Sequence, residues 1–200
     1  MKPDAEELPL LSRTPVEWGK RVLANPLELL ADHAFLEKKA ANNALDLLTR
    51  WPEDFVPGWV TAMTGIAHDE TSHLRQVMRL LLRRGGEMPR GHANPYARDL
   101  RLLVRTREPE QTLDRLFVSA LIELRSCERF SVLAEASDDQ ELSAFYHSLH
   151  LSERGHYKTF LKLAFQVPGV HTEERWREML NEEARILAAQ PAGSRMHSGL

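Results

Sequence analysis

Apolar residues recur every third or fourth position over four long stretches of the chain, 26–48, 57–84, 110–135 and 139–166. That is the period of a helix with one buried face, and few segments alternate as strands do. In the first stretch the stripe is Leu30, Ala34, Ala41, Ala44 and Leu48, broken by Glu37. In the second it is Met63, Ile66, Val77 and Leu81, broken by Glu70 and His73. The third carries Leu116, Ala120, Cys127, Phe130 and Ala134 around Glu123, and the fourth carries Tyr146, Leu149 and Phe160 around Glu153 and His156. Asn25 followed by Pro26 reads as the cap and first turn of the first helix. Gly85-Gly86 and Pro168-Gly169 mark the ends of the second and fourth.

The first and second helices, and the third and fourth, are joined by short segments and should form antiparallel hairpins. Between the second and third lies residues 85–109, with a short helical pattern after Asn94-Pro95. An up-down-up-down bundle would not need that length. A four-helix bundle with one long crossover is the ferritin-like topology. Accessory helices are expected over 15–23 and 172–188, and a loose tail over 189–200, where Pro191, Gly193 and Gly199 fall. The expectation is a single all-α domain over 1–200 with its core at about 26–166.

The two hairpins also repeat. Setting Glu37 on Glu123 places Ala34 on Ala120, Leu36 on Ile122, Lys39 on Arg125 and Leu47 on Leu133. Setting Glu70 on Glu153 places His73 on His156, Ile66 on Leu149 and Met78 on Leu161.

An acidic residue within an apolar stripe is costly unless it is paired or holds a metal. Glu70-Thr71-Ser72-His73 and Glu153-Arg154-Gly155-His156 each place a carboxylate and an imidazole on one helical face. Two such pairs, plus one inward glutamate from each of two other helices, form the ligand set of a carboxylate-bridged di-iron or di-manganese bundle. Glu37 and Glu123 supply the latter. In this reading Glu70 and Glu153 bridge, Glu37 and Glu123 are terminal, and each histidine binds one metal. Glu123 is preferred to Glu128 because it shares the apolar stripe and is the repeat partner of Glu37. Glu128 then reads as a surface residue or as a partner behind the ligands. Tyr146 flanks the centre, and His33 lies one turn before Glu37.

Composition narrows the remaining choices. The chain has 200 residues, 42% hydrophobic and 28% charged, with a net charge of -3. No apolar run reaches the length of a membrane span. Cys127 is alone, which excludes a disulfide framework, a zinc cysteine cluster and a rubredoxin-like Cys-x-x-Cys module. The segment MKPDAEELPLLSRTP lacks a signal-peptide pattern, so a cytoplasmic protein is expected. One basic feature stands out. Arg75, Arg79 and Arg83 form a row on the second helix, and Arg84, Arg90, Arg98, Arg101, Arg105 and Arg107 continue through the crossover. Arginine forks suit phosphates, while cations near a helix C-terminus are also favoured by its dipole.

The stretches LANPLELLADHAFLEKKAANNALDLL, AHDETSH, LIELRSCERF and LSERGHYKTF resemble the tRNA 2-methylthio-N6-isopentenyladenosine hydroxylase (MiaE) family, over roughly residues 14–165. The resemblance implies a ferritin-like di-iron protein with Glu37, Glu70, His73, Glu123, Glu153 and His156 as ligands, the set that the spacing also selects. It implies two iron ions, O2 as co-substrate, tRNA as substrate and hydroxylation of the isopentenyl group. No flavin or iron–sulfur signature is present, so an external electron donor, a separate reductase, is implied. Arg75, Arg79, Arg83, Arg84, Arg98, Arg101 and Arg105 are the candidates for RNA contact. A monomer or small oligomer is expected. The rival readings are a di-iron hydroxylase of another small substrate, such as a quinone precursor, and a ferritin- or rubrerythrin-like protein handling iron or peroxide.

Overall fold

A computed structural model describes residues 8–50 and 58–200. It contains α1 (Val16–Leu23), α2 (Pro26–Leu48), α3 (Trp59–Arg83), α4 (Pro95–Arg101), α5 (Glu110–Ala136), α6 (Gln140–Ala164) and α7 (Thr172–Ala188), and no strand among the described residues. The expected first residue of the second helix, Pro57, lies outside the described residues.

Helices α2, α3, α5 and α6 form the bundle. In the α5–α6 hairpin Ser143 Oγ donates to the Ala134 carbonyl, and His150 Nδ1 lies 2.9 Å from the Cys127 carbonyl, so the two helices run antiparallel. In the α2–α3 hairpin Trp59 Nε1 donates to the Leu47 carbonyl at 2.9 Å, joining the end of α2 to the start of α3. Pro26 opens α2, where a missing N–H costs nothing. The Asn25 side chain does not cap it, however. Its amide donates to Ser194 Oγ, because the C-terminal segment passes beside that turn. Asn94 and Asp139 do cap, accepting from Ala97 N and from Glu141 N and Leu142 N.

The apolar core falls into two clusters. One gathers Met63, Ile66, Leu116, Ala120, Leu124, Phe160 and their neighbours. The other gathers Leu30, Ala34, Val77, Leu81, Phe130, Tyr146 and Leu149. Along every bundle helix the polar residues of the stripe fall between the two, so a charged layer crosses the middle of the bundle.

Helix α5 is buried over most of its surface. Its outer face carries Arg125, Glu128 and Arg129, which a helical wheel would give to solvent, yet all three are buried. Segment 8–15, α1, α7 and the C-terminal residues cover them. Arg125 donates to both Glu183 carboxylate oxygens at 2.9 and 3.0 Å and to Glu128 at 3.0 Å, and Tyr96 OH adds a bond to Glu183. Glu128 also accepts from Thr14 N and Oγ1. It is therefore neither a surface residue nor a partner of the inner ligands, but the anchor of the chain before α1.

The tail is not loose. Met196, His197 and Ser198 are buried. Met196 N donates to Asp32, its carbonyl accepts from Arg129, and Ser198 Oγ accepts from Trp18 Nε1. Its Pro and Gly content suggested a frayed end, but turns that bring polar backbone onto waiting side chains need the same residues.

Candidate metal centre

Glu37, Glu70, His73, Glu123, Glu153 and His156 converge from four helices, each at most 7% exposed. Their side-chain atoms form two groups, each with all its atoms within 4.8 Å of one another: Glu37, Glu70, His73 and Glu153; and Glu70, Glu123, Glu153 and His156. Glu70 and Glu153 belong to both groups. His73 Nδ1 lies 3.2 Å from Glu153, 3.5 Å from Glu37 and 3.6 Å from Glu70. His156 Nδ1 lies 2.8 Å from Glu70 and 3.0 Å from Glu153.

Crowding carboxylates together away from water shifts the titration of several of these groups. Burial, then the neighbouring Glu153 and Glu37, push the Glu70 carboxyl up to about 8. Burial, then Glu70 and Glu153, raise Glu123 well above the carboxylate range. Burial alone would lower His73 and His156, but the carboxylates crowded against them, Glu153 and Glu70 for both and Glu37 for His73, push both up to about 12. Burial would raise Glu153 too, yet its bonds with His156 and His73 hold it far below the usual range. Glu70 Oε1, His73 Nδ1 and Glu153 Oε1 are buried without a hydrogen bond of good geometry. Buried atoms of this kind, four carboxylates and two imidazoles in all, suit a pair of hard or borderline divalent cations.

Two residues behind the cluster orient it. His33, fully buried, places Nε2 2.5 Å from Glu37 Oε1 and lies among Phe130, Phe145 and Tyr146. Burial lowers its imidazole to about 4, so it stays neutral. Asp69 Oδ2 lies 3.3 Å from His156 Nε2, leaving Nδ1 to face Glu70 and Glu153. A carboxylate on the far nitrogen fixes the tautomer of a metal-binding histidine. His33 was visible in the sequence as the residue one turn before Glu37. Asp69 was not singled out, and its place beside Glu70 is the only signal it gives. Tyr146 packs on His33 but makes no hydrogen bond to the cluster.

A cavity of about 450 Å³ opens between α2, α4 and α5 and reaches Glu123. Leu36, Ala40, Ala97 and Ile122 give it apolar walls, and Lys39, Arg98, Arg101 and Leu102 stand around it. Burial, then the nearby Arg101, lower the Lys39 ammonium from its usual value.

The predicted basic residues therefore separate. Arg98 and Arg101 line the cavity, Arg98 also pairing with its neighbour Asp99 at 2.8 Å. Arg75 and Arg79 are exposed on α3 away from it. Arg83 and Arg84 are turned onto Glu141 and Asp139, at 2.5–2.9 Å. Arg105 is committed to the buried Asp114, with its N, Nε and Nη2 all donating, because that carboxylate needs compensation.

The family model of tRNA-(MS[2]IO[6]A)-hydroxylase (MiaE) matches residues 5–198. A Pseudomonas putida KT2440 protein called tRNA 2-(methylsulfanyl)-N(6)-isopentenyladenosine(37) hydroxylase is 38% identical over 94% of this chain and 90% of its own length. A protein of the same name from Salmonella typhimurium LT2 is 35% identical over 70% of this chain and 52% of its own length. A solved structure, "Protein 43 with aldehyde deformylating oxygenase activity from Synechococcus", superposes with a TM-score of 0.87 at 33% identity, covering 95% of this chain and 96% of that one. The buried glutamate and histidine layer thus stands in a fold and a sequence shared with these proteins, and the chain belongs to the MiaE family of tRNA hydroxylases.

Proposed function

We propose that this protein is an O2-dependent di-iron monooxygenase that hydroxylates the isopentenyl group of 2-methylthio-N6-isopentenyladenosine in tRNA. One observation carries the reading. Glu123, one of the six buried residues of the layer, lines an apolar cavity with cations at its edge.

Glu70 and Glu153 would hold both metals, Glu37 and His73 one of them, and Glu123 and His156 the other. When bound, two iron ions would supply the redox chemistry that divides O2 between the product hydroxyl and water. The balance is substrate plus O2, two electrons and two protons to alcohol plus water, so a reductase must deliver the electrons. The protein's own part is arrangement. Leu36, Ala40 and Ile122 give a prenyl chain an apolar sleeve and keep water from it. Asp69 holds the proton on His156 Nε2, and His33 fixes one oxygen of Glu37. Four carboxylates supply the negative charge that two divalent cations require.

Among the described residues no helix is long and apolar enough to cross a membrane. Action on tRNA supports a cytoplasmic location. We take it to work as a monomer or small oligomer, which sedimentation would check. The likeness to the Synechococcus oxygenase supports a second reading, an aldehyde substrate, but the cations around the cavity favour a nucleotide.

The test is nucleoside mass spectrometry after incubating iron-loaded protein, a reductant and O2 with tRNA carrying the prenylated nucleoside. One added oxygen on that nucleoside, absent without O2, is expected. No addition by protein holding two irons per chain would discard the tRNA assignment and leave the metal centre.

A further inference from the structure

Outside the ligand layer a chain of hydrogen bonds runs from the C-terminal segment to the cavity. Met196 N donates to Asp32 Oδ2 at 2.9 Å. His92 Nε2 and Asp32 Oδ1 lie 2.7 Å apart, and Lys39 Nζ and His92 Nδ1 lie 2.8 Å apart. The partners fix the roles. A carboxylate only accepts and an ammonium only donates, so His92 carries its proton on Nε2 and offers Nδ1 to the lysine. Phe35 stacks on the imidazole at 4.8 Å between centroids, only 7° from parallel.

The ammonium of Lys39 is thus held in place by a neutral ring rather than by a carboxylate. The repeat makes the contrast plain. Arg125, its counterpart on α5, lies fully buried and has its charge met by Glu183 and Glu128. Lys39, which also reaches the His92 carbonyl at 3.5 Å, lies on the cavity wall with one donor left, and Arg98, paired with Asp99, and Arg101 line the same cavity. Three cations around an opening whose interior is apolar suit a ligand with a phosphate outside and a hydrocarbon group within.

We propose that Lys39, positioned by His92 and Asp32, is the phosphate contact of the cavity. It grips the backbone beside the modified nucleoside, together with Arg98 and Arg101. The proposal rests on the tRNA reading above and adds to it the residues that hold the RNA. His92 and Asp32 are positioning residues, since they touch only the lysine and the chain around it. The C-terminal segment supports them further. Arg195 donates to the Ala93 carbonyl at 3.3 Å, and the Asn94 side chain lies 3.1 Å from His197, so it also braces the loop that carries His92.

The probe is a fluorescently labelled anticodon stem–loop carrying the prenylated adenosine, its binding to the iron-loaded protein followed by anisotropy over a range of salt. Lys39→Gln should weaken binding by about tenfold and reduce the slope of log Kd against log salt by about 0.7–0.9, the loss of one phosphate contact. Lys39→Arg should restore the slope. His92→Phe, which keeps a ring on Phe35 but neither bond, should weaken binding by about threefold with the slope unchanged, because the cation remains but is no longer held. Iron content and melting temperature, measured alongside, report folding. A folded Lys39→Gln protein with wild-type affinity and slope would overturn the assignment while leaving the tRNA reading intact. Failure of the wild-type protein to bind the stem–loop would overturn both.

Discussion

The seam between α2 and α5 has two sides that the repeat makes equivalent, and the structure treats them oppositely. On one side lie Glu37 and His33, with Arg125 and Arg129 further along α5; this side is filled. His33 sits among aromatic rings, Arg125 among carboxylates, and Arg129 stacks over Trp18 and donates to the Met196 carbonyl. On the other side lie Glu123, Ser119, Lys39 and Asn43, and here the cavity opens. The six-residue layer is symmetric while its surroundings are not. A duplicated hairpin can supply a two-metal site, but only a break in the symmetry gives a substrate one way in. That break comes from the added parts, since α1, α7 and the C-terminal residues close one side and α4 frames the other.

The comparison can be broken most severely at the residues common to both sides. Glu70→Ala or His156→Ala should abolish metal occupancy and turnover together, as read by elemental analysis and nucleoside mass spectrometry. Retained turnover in either variant would refute the ligand assignment. Next in size is a change confined to the open side. Ile122→Trp should fill the cavity, leave iron content unchanged and lower kcat/KM on the order of 10²-fold, because a misplaced reacting group loses about that much. On the filled side, His33→Ala should weaken metal binding about 10–100-fold, as removal of a hydrogen bond behind a ligand does. The loss should fall on one of the two metals, visible as unequal steps in a cobalt titration, and His33→Asn should restore part of it. The smallest effect is expected from Glu183→Gln, which removes a charge facing Arg125. It should destabilise the protein by about 1–3 kcal/mol, a fall in Tm of roughly 2–12 °C, without changing the salt dependence of stem–loop binding. Lys39→Gln should give the reverse pattern.

The ligand layer was legible in the sequence because each half of it is local. Glu70 and His73, like Glu153 and His156, lie three residues apart on one helix, and an acid within an apolar stripe is conspicuous. The bundle and its crossover followed from helical period and segment lengths. What stayed hidden joins distant parts of the chain. His92 meets Lys39 across 53 residues, and Met196 meets Asp32 across 164, with no spacing rule to connect them. The outer face of α5 reads as solvated because Arg125, Glu128 and Arg129 are charged. Only the folded chain brings Glu183, Thr14 and Met196 to compensate them. The arginine row illustrates the same limit from the other direction. Arg83, Arg84 and Arg105 look available in the sequence and are engaged by Glu141, Asp139 and Asp114 in the structure.

On the function proposed above, the prenyl group would meet the metals on the open side, at Glu123. The most direct measurement is the crystal structure of anaerobic, iron-loaded protein with the prenylated methylthioadenosine nucleoside bound. Two metals should lie among the six side chains, shared by Glu70 and Glu153, with the isopentenyl group between Leu36 and Ile122 and its end toward Glu123. A nucleoside bound on the Asp69 and His156 face, with the cavity beside Lys39 left empty, would contradict it.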